Sequence, residues 1–352
     1  MRTVTVRSSK EYEVLIGSGL LASAGESIKP LAKGKKAFIV SDDNVYPVYG
    51  RVLDKSLRSA GFSTDAFVMP HGEASKNLSV YGAILERMGS LHYTRTDIIV
   101  ALGGGVVGDI TGFAAATYQR GIDYVQIPTT LLAAVDSSVG GKTGVDLECG
   151  KNQVGCFCQP LIVIHDVDTL RTLPNLEYRN GCAEIIKYGM IGSRELMDAI
   201  SARPVNEQYE DVIAVCVDMK RKLVEEDEFD RGSRMLLNFG HTVGHAIERC
   251  SNYTIPHGMA VSAGMDVITK AAAVLGFTDG SAYEALHGLL EQYSLPTRCG
   301  YPAEKLLEAA QNDKKSGGDV ITIVVPRSAG DCILKMINRP ELMKWLLAGG
   351  VK

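Results

Sequence analysis

The sequence predicts two domains of different class, an α/β domain over residues 1–174 followed by an all-α domain over 175–352. Three observations carry this. In the first half, short apolar runs alternate with helical patterns, the rhythm of βαβ units around a parallel sheet. From about Asn175 the strand signal nearly vanishes and helical periodicity takes over. One apolar run, 98–102, passes straight into a glycine-rich loop, as strands of nucleotide-binding sheets do. A chain of 352 residues fits two domains at roughly 150 residues each.

The elements follow in order. Val4–Val6 and Glu13–Ile16 read as short strands. Lys36–Val40 reads as a buried strand ending at SDDN, and Phe67–Met69 as another, closed by Pro70. Asp97–Leu102, Tyr124–Ile127 and Leu161–Ile164 complete the strand set, the last two stopped by Pro128 and Asp166. Leu78–Met88 is a helix between strands. In the second half, helical spacing covers 181–201, 208–226, 233–250, 258–275, 281–293 and 303–312. One late strand, Val320–Val325, stops at Pro326. The domain boundary is set near Pro174, and a site in the cleft between two closely packed halves is expected.

Composition narrows the function. Apolar residues are 45% and charged residues 22%, with a net charge of −4 and no long run of one sign. That argues against a general nucleic-acid binder. No apolar run reaches the length of a membrane span, and the N-terminus lacks the apolar core of a signal peptide. None of the 8 cysteines forms C-x-x-C, which suits reduced thiols in a cytoplasmic protein.

Residues 98–110, IIVALGGGVVGDI, place Gly103, Gly105 and Gly108 in a G-x-G-x-x-G pattern. Glycines let a diphosphate approach the backbone, and the following helix offers free N–H groups and a positive dipole end. The same turn also occurs as a purely structural strand-to-helix link. No acidic residue ends a strand about 20 residues on, where a dinucleotide fingerprint would place it. The loop is read as a nucleotide loop of unusual type.

Residues 234–245, RMLLNFGHTVGH, space Arg234, Asn238, His241 and His245 by 4, 3 and 4. On a continuous helix they form one polar stripe in an apolar surround, costly to bury unless something binds it. Two histidines one turn apart either share a metal, divide ligation and proton handling between them, or are hydrogen-bonded core histidines. His257, in IPHGM, and Glu184, in GCAEIIKYG, extend the set to a Glu/His/His site suited to zinc or a similar divalent ion. His245 is then left for proton transfer. A set of cations suits a phosphate: Lys142 in SSVGGKTGVD, Lys151 beside Asn152, then Lys220, Arg234, Lys314 and Lys315. Arg120, in YQRG, lies in a surface turn.

These segments, together with HGEASK (71–76), IPTTLLAAVDSSVGGKTGVD (127–146), KNQVGCFCQP (151–160), TLPNLE (172–177), LLNFGHTVGHAIE (236–248), HGMAVSAGM (257–265) and DKK (313–315), resemble the 3-dehydroquinate synthase family of sugar-phosphate cyclases over nearly the whole chain, in order. The resemblance implies a Rossmann-like nucleotide-binding domain and a helical domain for metal and substrate. It implies NAD contacts at Asp42, Asn44, His71, Gly72, Glu73, Lys76, Gly104, Gly105, Val106, Asp109, Thr129, Thr130, Lys142, Lys151, Thr169, Thr172, Glu177 and Asn180. It implies a zinc or cobalt ion on Glu184, His241 and His257. Substrate contacts implied are Arg120, Asp136, Lys142, Asn152, Lys187, Lys220, Arg234, Asn238, His245 and either Lys314 or Lys315. His245, Asp230 and Lys187 are the implied catalytic groups. Arg120 matches an arginine that reaches the neighbouring subunit's site, so a homodimer is implied.

The implied reaction is that of a carbon–oxygen lyase of the shikimate pathway, which leads to chorismate and the aromatic amino acids. NAD transiently oxidises carbon five of 3-deoxy-D-arabino-heptulosonate 7-phosphate, phosphate is eliminated, the hydride returns, and ring opening with an intramolecular aldol closure gives 3-dehydroquinate. The chain departs from the family pattern at Met259 and Asp230, where the family usually carries Glu. Cys156 and Cys158 are also unusual; they are read as buried small apolar side chains, with a redox or metal role as the alternative. Three alternatives remain: a cyclase of glucose 6-phosphate such as 2-deoxy-scyllo-inosose synthase, a metal-dependent polyol dehydrogenase, and a catalytically dead NAD-binding sensor.

Overall fold

A computed structural model describes residues 1–311 and 320–352. In chain order the elements begin with β1 (Arg2–Arg7), β2 (Glu11–Gly17), α1 (Ala24–Ile28), β3 (Lys36–Asp42), α2 (Arg51–Ser59), β4 (Ser63–Met69) and α3 (Leu78–Ser90). Next come β5 (Ile98–Gly103), α4 (Gly105–Thr117), β6 (Asp123–Pro128), β7 (Lys142–Leu147), β8 (Gly150–Phe157) and β9 (Ile162–Asp166). Helices α5 (Asn175–Gly192), α6 (Arg194–Ala202), α7 (Tyr209–Glu226), α8 (His241–Cys250), α9 (His257–Val274), α10 (Gly280–Gln292) and α11 (Ala303–Gln311) follow. The described chain closes with β10 (Val320–Ser328), β11 (Asp331–Asn338) and α12 (Arg339–Ala348). Two compact units result: Met1–Pro174 with Tyr209–Phe229, and Asn175–Gln208 with Asp230–Lys352.

The first unit is built on a seven-stranded sheet in the order β1-β2-β9-β6-β5-β3-β4. Only the β1–β2 pair is antiparallel; β2 and the remaining strands run parallel to their other neighbours. Successive side chains leave opposite faces of a strand. Ala37 and Ile39 of β3, with Val100 of β5, therefore join Leu53 and Leu57 of α2 in one apolar cluster. Phe38, Val40, Ile99 and Ala101 join Ile84 of α3 and Ile110 of α4 in another. Both faces are covered, which is why these strands read as unbroken apolar runs.

Two features depart from the sequence reading. The stretch around Lys142, given no strand in the sequence reading, forms an antiparallel hairpin of β7 and β8. Its strand signal is hidden by glycine: a Cβ on Gly155 would lie 2.0 Å from the Thr143 carbonyl oxygen, so the close pairing admits no side chain there. Second, helix α7 lies beyond the expected boundary yet belongs to the first unit. Its end is tied to the first strands, where the backbone N–H of Arg7 donates to Glu225 at 2.7 Å and that of Ser9 to Glu228 at 2.8 Å. Helical periodicity reports that α7 is a helix and says nothing of its partner.

The second unit is largely helical, with α9 packed against α5, α8, α10 and α12. Its expected strand at 320–325 is one arm of a hairpin with β11, whose mixed composition gave no strand reading. The expected helix 181–201 breaks at Ser193, whose hydroxyl caps α6 by accepting the Leu196 N–H at 3.1 Å.

Candidate functional site

In the first unit the sheet runs into the glycine loop at Gly103, and α4 begins at Gly105. A Cβ on Gly108 would meet Gln126 of β6 at 2.8 Å, so this glycine sets how closely α4 packs on the sheet. Gly104, the N-cap residue of α4, supplies no side-chain cap, which leaves the first N–H groups of the helix for a ligand. Val106 lies in the same first turn, and Thr130 stands 3.0 Å from where a Gly104 Cβ would be. Beside the loop, the Thr129 N–H donates to the Gly103 carbonyl at 3.0 Å. Its hydroxyl oxygen is buried and has no hydrogen-bond partner among the described residues. A phosphate-bearing ligand at the loop would satisfy both the helix end and this hydroxyl, so the residues present fit NAD.

Polar residues expected at NAD or substrate gather in the same unit. Lys76, 5% exposed, donates from Nζ to Asp109 Oδ2 and to Asn152 Oδ1, each at 2.6 Å. Burial opposes its charge, but Asp109 and Glu73 outweigh it and hold the ammonium above its ordinary value. Asn152 is itself fixed by its N–H to Asp146 at 2.7 Å, and Lys151 lies 3.6 Å from Glu73. Asp42 closes β3 by accepting the N–H groups of Asn44 and Val45 at 2.9 Å. Gly72 takes φ 91, and the preceding His71 is held by Asp43 at 2.8 Å. Lys220 of α7 donates to the carbonyl and carboxylate of Asp136 at 2.6 Å. Thr169 and Thr172 instead surround the Tyr49 hydroxyl, at 3.1 Å and 2.6 Å. Lys142 is exposed at the start of β7. Arg120 is exposed in a turn where Gln119 and Arg120 both take left-handed backbone, φ 48 and φ 66.

In the second unit, Glu184, His241 and His257 place one ligand atom each within 4.8 Å of one another. Glu184 comes from the middle of α5, while His241 and His257 are the first residues of α8 and α9. Gly240, at φ 78, makes the left-handed turn that starts α8. His241 Nδ1 faces the Phe239 carbonyl at 3.0 Å, and its Nε2 lies 3.9 Å from Glu184 Oε1. His257 Nε2 is 3.5 Å from the same oxygen. A tetrahedral cation with ligands near 2.0–2.1 Å needs edges of about 3.3 Å, close to this spacing. The other Glu184 oxygen is ion-paired with Lys187, and both side chains are buried.

The charges fit the same reading. Burial, helped by the Lys187 ammonium, pushes His241 down to about 3, so it stands neutral, as a ligand must. Burial also opposes charge on His257, but Glu184 and Glu248 outweigh it and push it up to about 10. Two carboxylates that favour positive charge at this position would equally favour a divalent cation held on Nε2. The donor set therefore fits a zinc-like or cobalt-like ion.

The polar stripe expected from the 4-3-4 spacing does not exist as one helix. Ser233–Asn238 is a 3-10 helix, Phe239 and Gly240 break the chain, and only His241 and His245 share α8. Gly240 was the readable sign of this break, since a left-handed residue cannot continue a helix. Arg234 is 1% exposed on the 3-10 segment, with Asn238 at its end. Asp230 takes φ 58 just before that segment. Glu177 and Asn180 lie 3.5 Å apart at the start of α5, and Asn180 Oδ1 accepts the Gly258 N–H at 2.5 Å, so it anchors the start of α9 beside His257. Met259 is buried in the first turn of α9. Among the described residues no disulfide joins any of the eight cysteines, and Cys156 and Cys158 pack against the apolar cluster under α3 and α4. Lys314 and Lys315 lie outside the described residues. Sequence reasoning missed Glu248, Phe239 and Asn180 as supports of the triangle.

A glycine loop on one unit and a Glu/His/His triangle on the other define a nucleotide- and metal-dependent enzyme of the sheet-plus-helical class. The comparisons make this specific. Residues 66–180 match the family model "3-dehydroquinate synthase N-terminal" and residues 181–316 "3-dehydroquinate synthase C-terminal". A 3-dehydroquinate synthase of Clostridium acetobutylicum is 42% identical, covering 98% of this chain and 99% of that one. The chain belongs to the 3-dehydroquinate synthase family. Among solved structures, 2-deoxy-scyllo-inosose synthase with carbaglucose-6-phosphate, NAD+ and Co2+ aligns at TM-score 0.89 and 25% identity, covering 99% of each chain. The 2-epi-5-epi-valiolone synthase of Streptomyces hygroscopicus subsp. jinggangensis, with NAD+ and Zn2+ bound, aligns at 0.88 and 25%, again over 99% of each.

Proposed function

We propose that this chain converts 3-deoxy-D-arabino-heptulosonate 7-phosphate into 3-dehydroquinate and phosphate, as a carbon–oxygen lyase of the shikimate pathway. The observation that carries this reading is the buried Glu184, His241 and His257 triangle, with Lys187 on its flank, in a chain 42% identical to a named 3-dehydroquinate synthase. When bound, NAD supplies a hydride acceptor that is restored within each turnover. When bound, a divalent cation supplies a Lewis acid for the substrate's neighbouring oxygens.

The chain's own residues do the rest. The α4 N-terminus, Thr129 and the Lys76 and Asp109 pair hold the nucleotide and orient its ring. Glu184, His241 and His257 hold the cation. Lys142, Lys187, Lys220 and Arg234 are assigned as the cations, and Asn152 and Asn238 as the amides, for the phosphate and carboxylate of the substrate. His245, one turn beyond a ligand and half-buried, handles protons. Asp230 is the second proton-handling group. A homodimer is part of this reading, because Arg120, exposed on its turn, matches the family's arginine that reaches the neighbouring subunit's site. A cytoplasmic location suits this metabolite chemistry, and no helix among the described residues is long and apolar enough to cross a membrane.

The test is incubation of the purified protein with NAD, zinc or cobalt ion and the heptulosonate phosphate. Equal amounts of phosphate and dehydroquinate with no net NADH are expected. Net NADH would support a dehydrogenase instead. Turnover of glucose 6-phosphate alone would support the other cyclase.

A further inference from the structure

The two histidines of the triangle are backed by different partners. His241 Nδ1 lies against a neutral backbone carbonyl, that of Phe239, at 3.0 Å. His257 Nδ1 lies 3.3 Å from a carboxylate oxygen of Glu248. Glu248 sits on α8, two turns after His241, and is 2% exposed. The chain turns at Asn252 and Tyr253, both left-handed at φ 51 and φ 60, and brings His257 back over it. The Tyr253 N–H donates to the Glu248 carbonyl at 2.7 Å, and the Ser251 hydroxyl to the same carbonyl at 2.8 Å, so the backbone of this residue is held.

A buried carboxylate is costly unless it is paired. Here it faces the ring nitrogen of His257 that points away from Glu184. A carboxylate accepting from Nδ1 fixes the tautomer, aims Nε2 and makes it more basic, whereas a carbonyl does this more weakly. We infer that Glu248 is a positioning residue of the metal centre: through His257 Nδ1 it orients Nε2 toward the cation held with Glu184 and His241, and so sets metal affinity. This rests on the reading of that triangle as the metal site. Glu248 also lies in a second grouping with His245 and His257, so direct ligation by Glu248 is the rival arrangement.

The test uses Glu248→Gln, Glu248→Ala, Glu184→Ala and His241→Ala in the full chain, with Co(II) and Zn(II) as probes. Metal Kd is read by competition with a chromophoric chelator, Co(II) geometry by its visible spectrum, and folding by melting of the metal-free protein. The Ala variant is expected to raise Kd about 10–100-fold while keeping a tetrahedral Co(II) spectrum, and the Gln variant less, because its amide oxygen still accepts from Nδ1. Should the Ala variant fail to fold, the Gln variant carries the test. An unchanged Kd in either folded variant, with metal lost in His241→Ala, overturns the inference and leaves the triangle standing. Metal retained in Glu184→Ala but abolished in Glu248→Ala makes Glu248 a ligand and overturns it too. Metal retained in His241→Ala overturns the triangle itself.

Discussion

Gly258→Ala tests how the metal triangle is held together without touching a ligand. Gly258 follows His257 in the first turn of α9. A Cβ at this position would lie 2.2 Å from the Asn180 carbonyl oxygen, 2.7 Å from its Oδ1 and 2.9 Å from its carbonyl carbon. Two of those atoms are backbone of α5, one helical turn before Glu184, so no side-chain rotation relieves the overlap. Ordinary contact requires α9 to retreat by about 1 Å, the kind of overpacking that costs roughly 1–3 kcal/mol. The retreat also breaks the 2.5 Å bond from the Gly258 N–H to Asn180. His257 travels with the start of α9, so the 3.5 Å approach of its Nε2 to Glu184 opens. A misplacement of about 1 Å is enough to cost on the order of 10²-fold in turnover. Thermal melting should fall by roughly 2–4 °C per kcal/mol, and a Co(II) titration should show weakened binding. A variant with unchanged melting and unchanged Co(II) affinity would refute the argument that α5 and α9 set the ligand geometry by backbone contact.

Lys142→Ala should raise the KM for phosphorylated substrate more than the Kd for NAD, as measured by steady-state kinetics and fluorescence titration; equal or absent effects would remove Lys142 from the phosphate set. Arg120→Gly relieves a left-handed arginine, a strain of order 1–3 kcal/mol, so melting should hold or rise while turnover falls; a lowered melting point with full activity would contradict both parts. His165 is buried on β9, and neither ring nitrogen has a partner among the described residues. Burial pushes it down to about 3, against about 6.5 in the unfolded chain. The unfolded state therefore binds the extra proton, and stability is lost as pH falls from about 6.5 toward 3, by up to about 1.4 kcal/mol per unit. His165→Leu should flatten that limb of the urea midpoint against pH, and an unchanged slope would show that the imidazole titrates without penalty.

What was legible in the sequence follows from what each signal measures. Strands buried on both faces, such as β3 and β5, announce themselves because their central positions, 37–40 and 98–102, are all apolar. The hairpin of β7 and β8 did not, because Gly144 and Gly155 sit where backbones touch and contribute no pattern. Glu184, His241 and His257 were readable as ligand types, since few side chains supply such donors. Their support was not readable, because it depends on the chain's return path. Glu248 and His257 are nine positions apart, a spacing that suits no single helix, and they meet only because the left-handed residues at 252 and 253 reverse the chain. The error at 234–245 has the same root. A 4-3-4 spacing is evidence for a shared face only if the helix is continuous, and Gly240 ends that continuity to put His241 at a helix start. There its Nδ1 reaches the Phe239 carbonyl, which a residue in mid-helix would find already bonded to an N–H further along the helix. Breaking the helix therefore orients the ligand, and the glycine that spoils the periodic pattern is part of what builds the site.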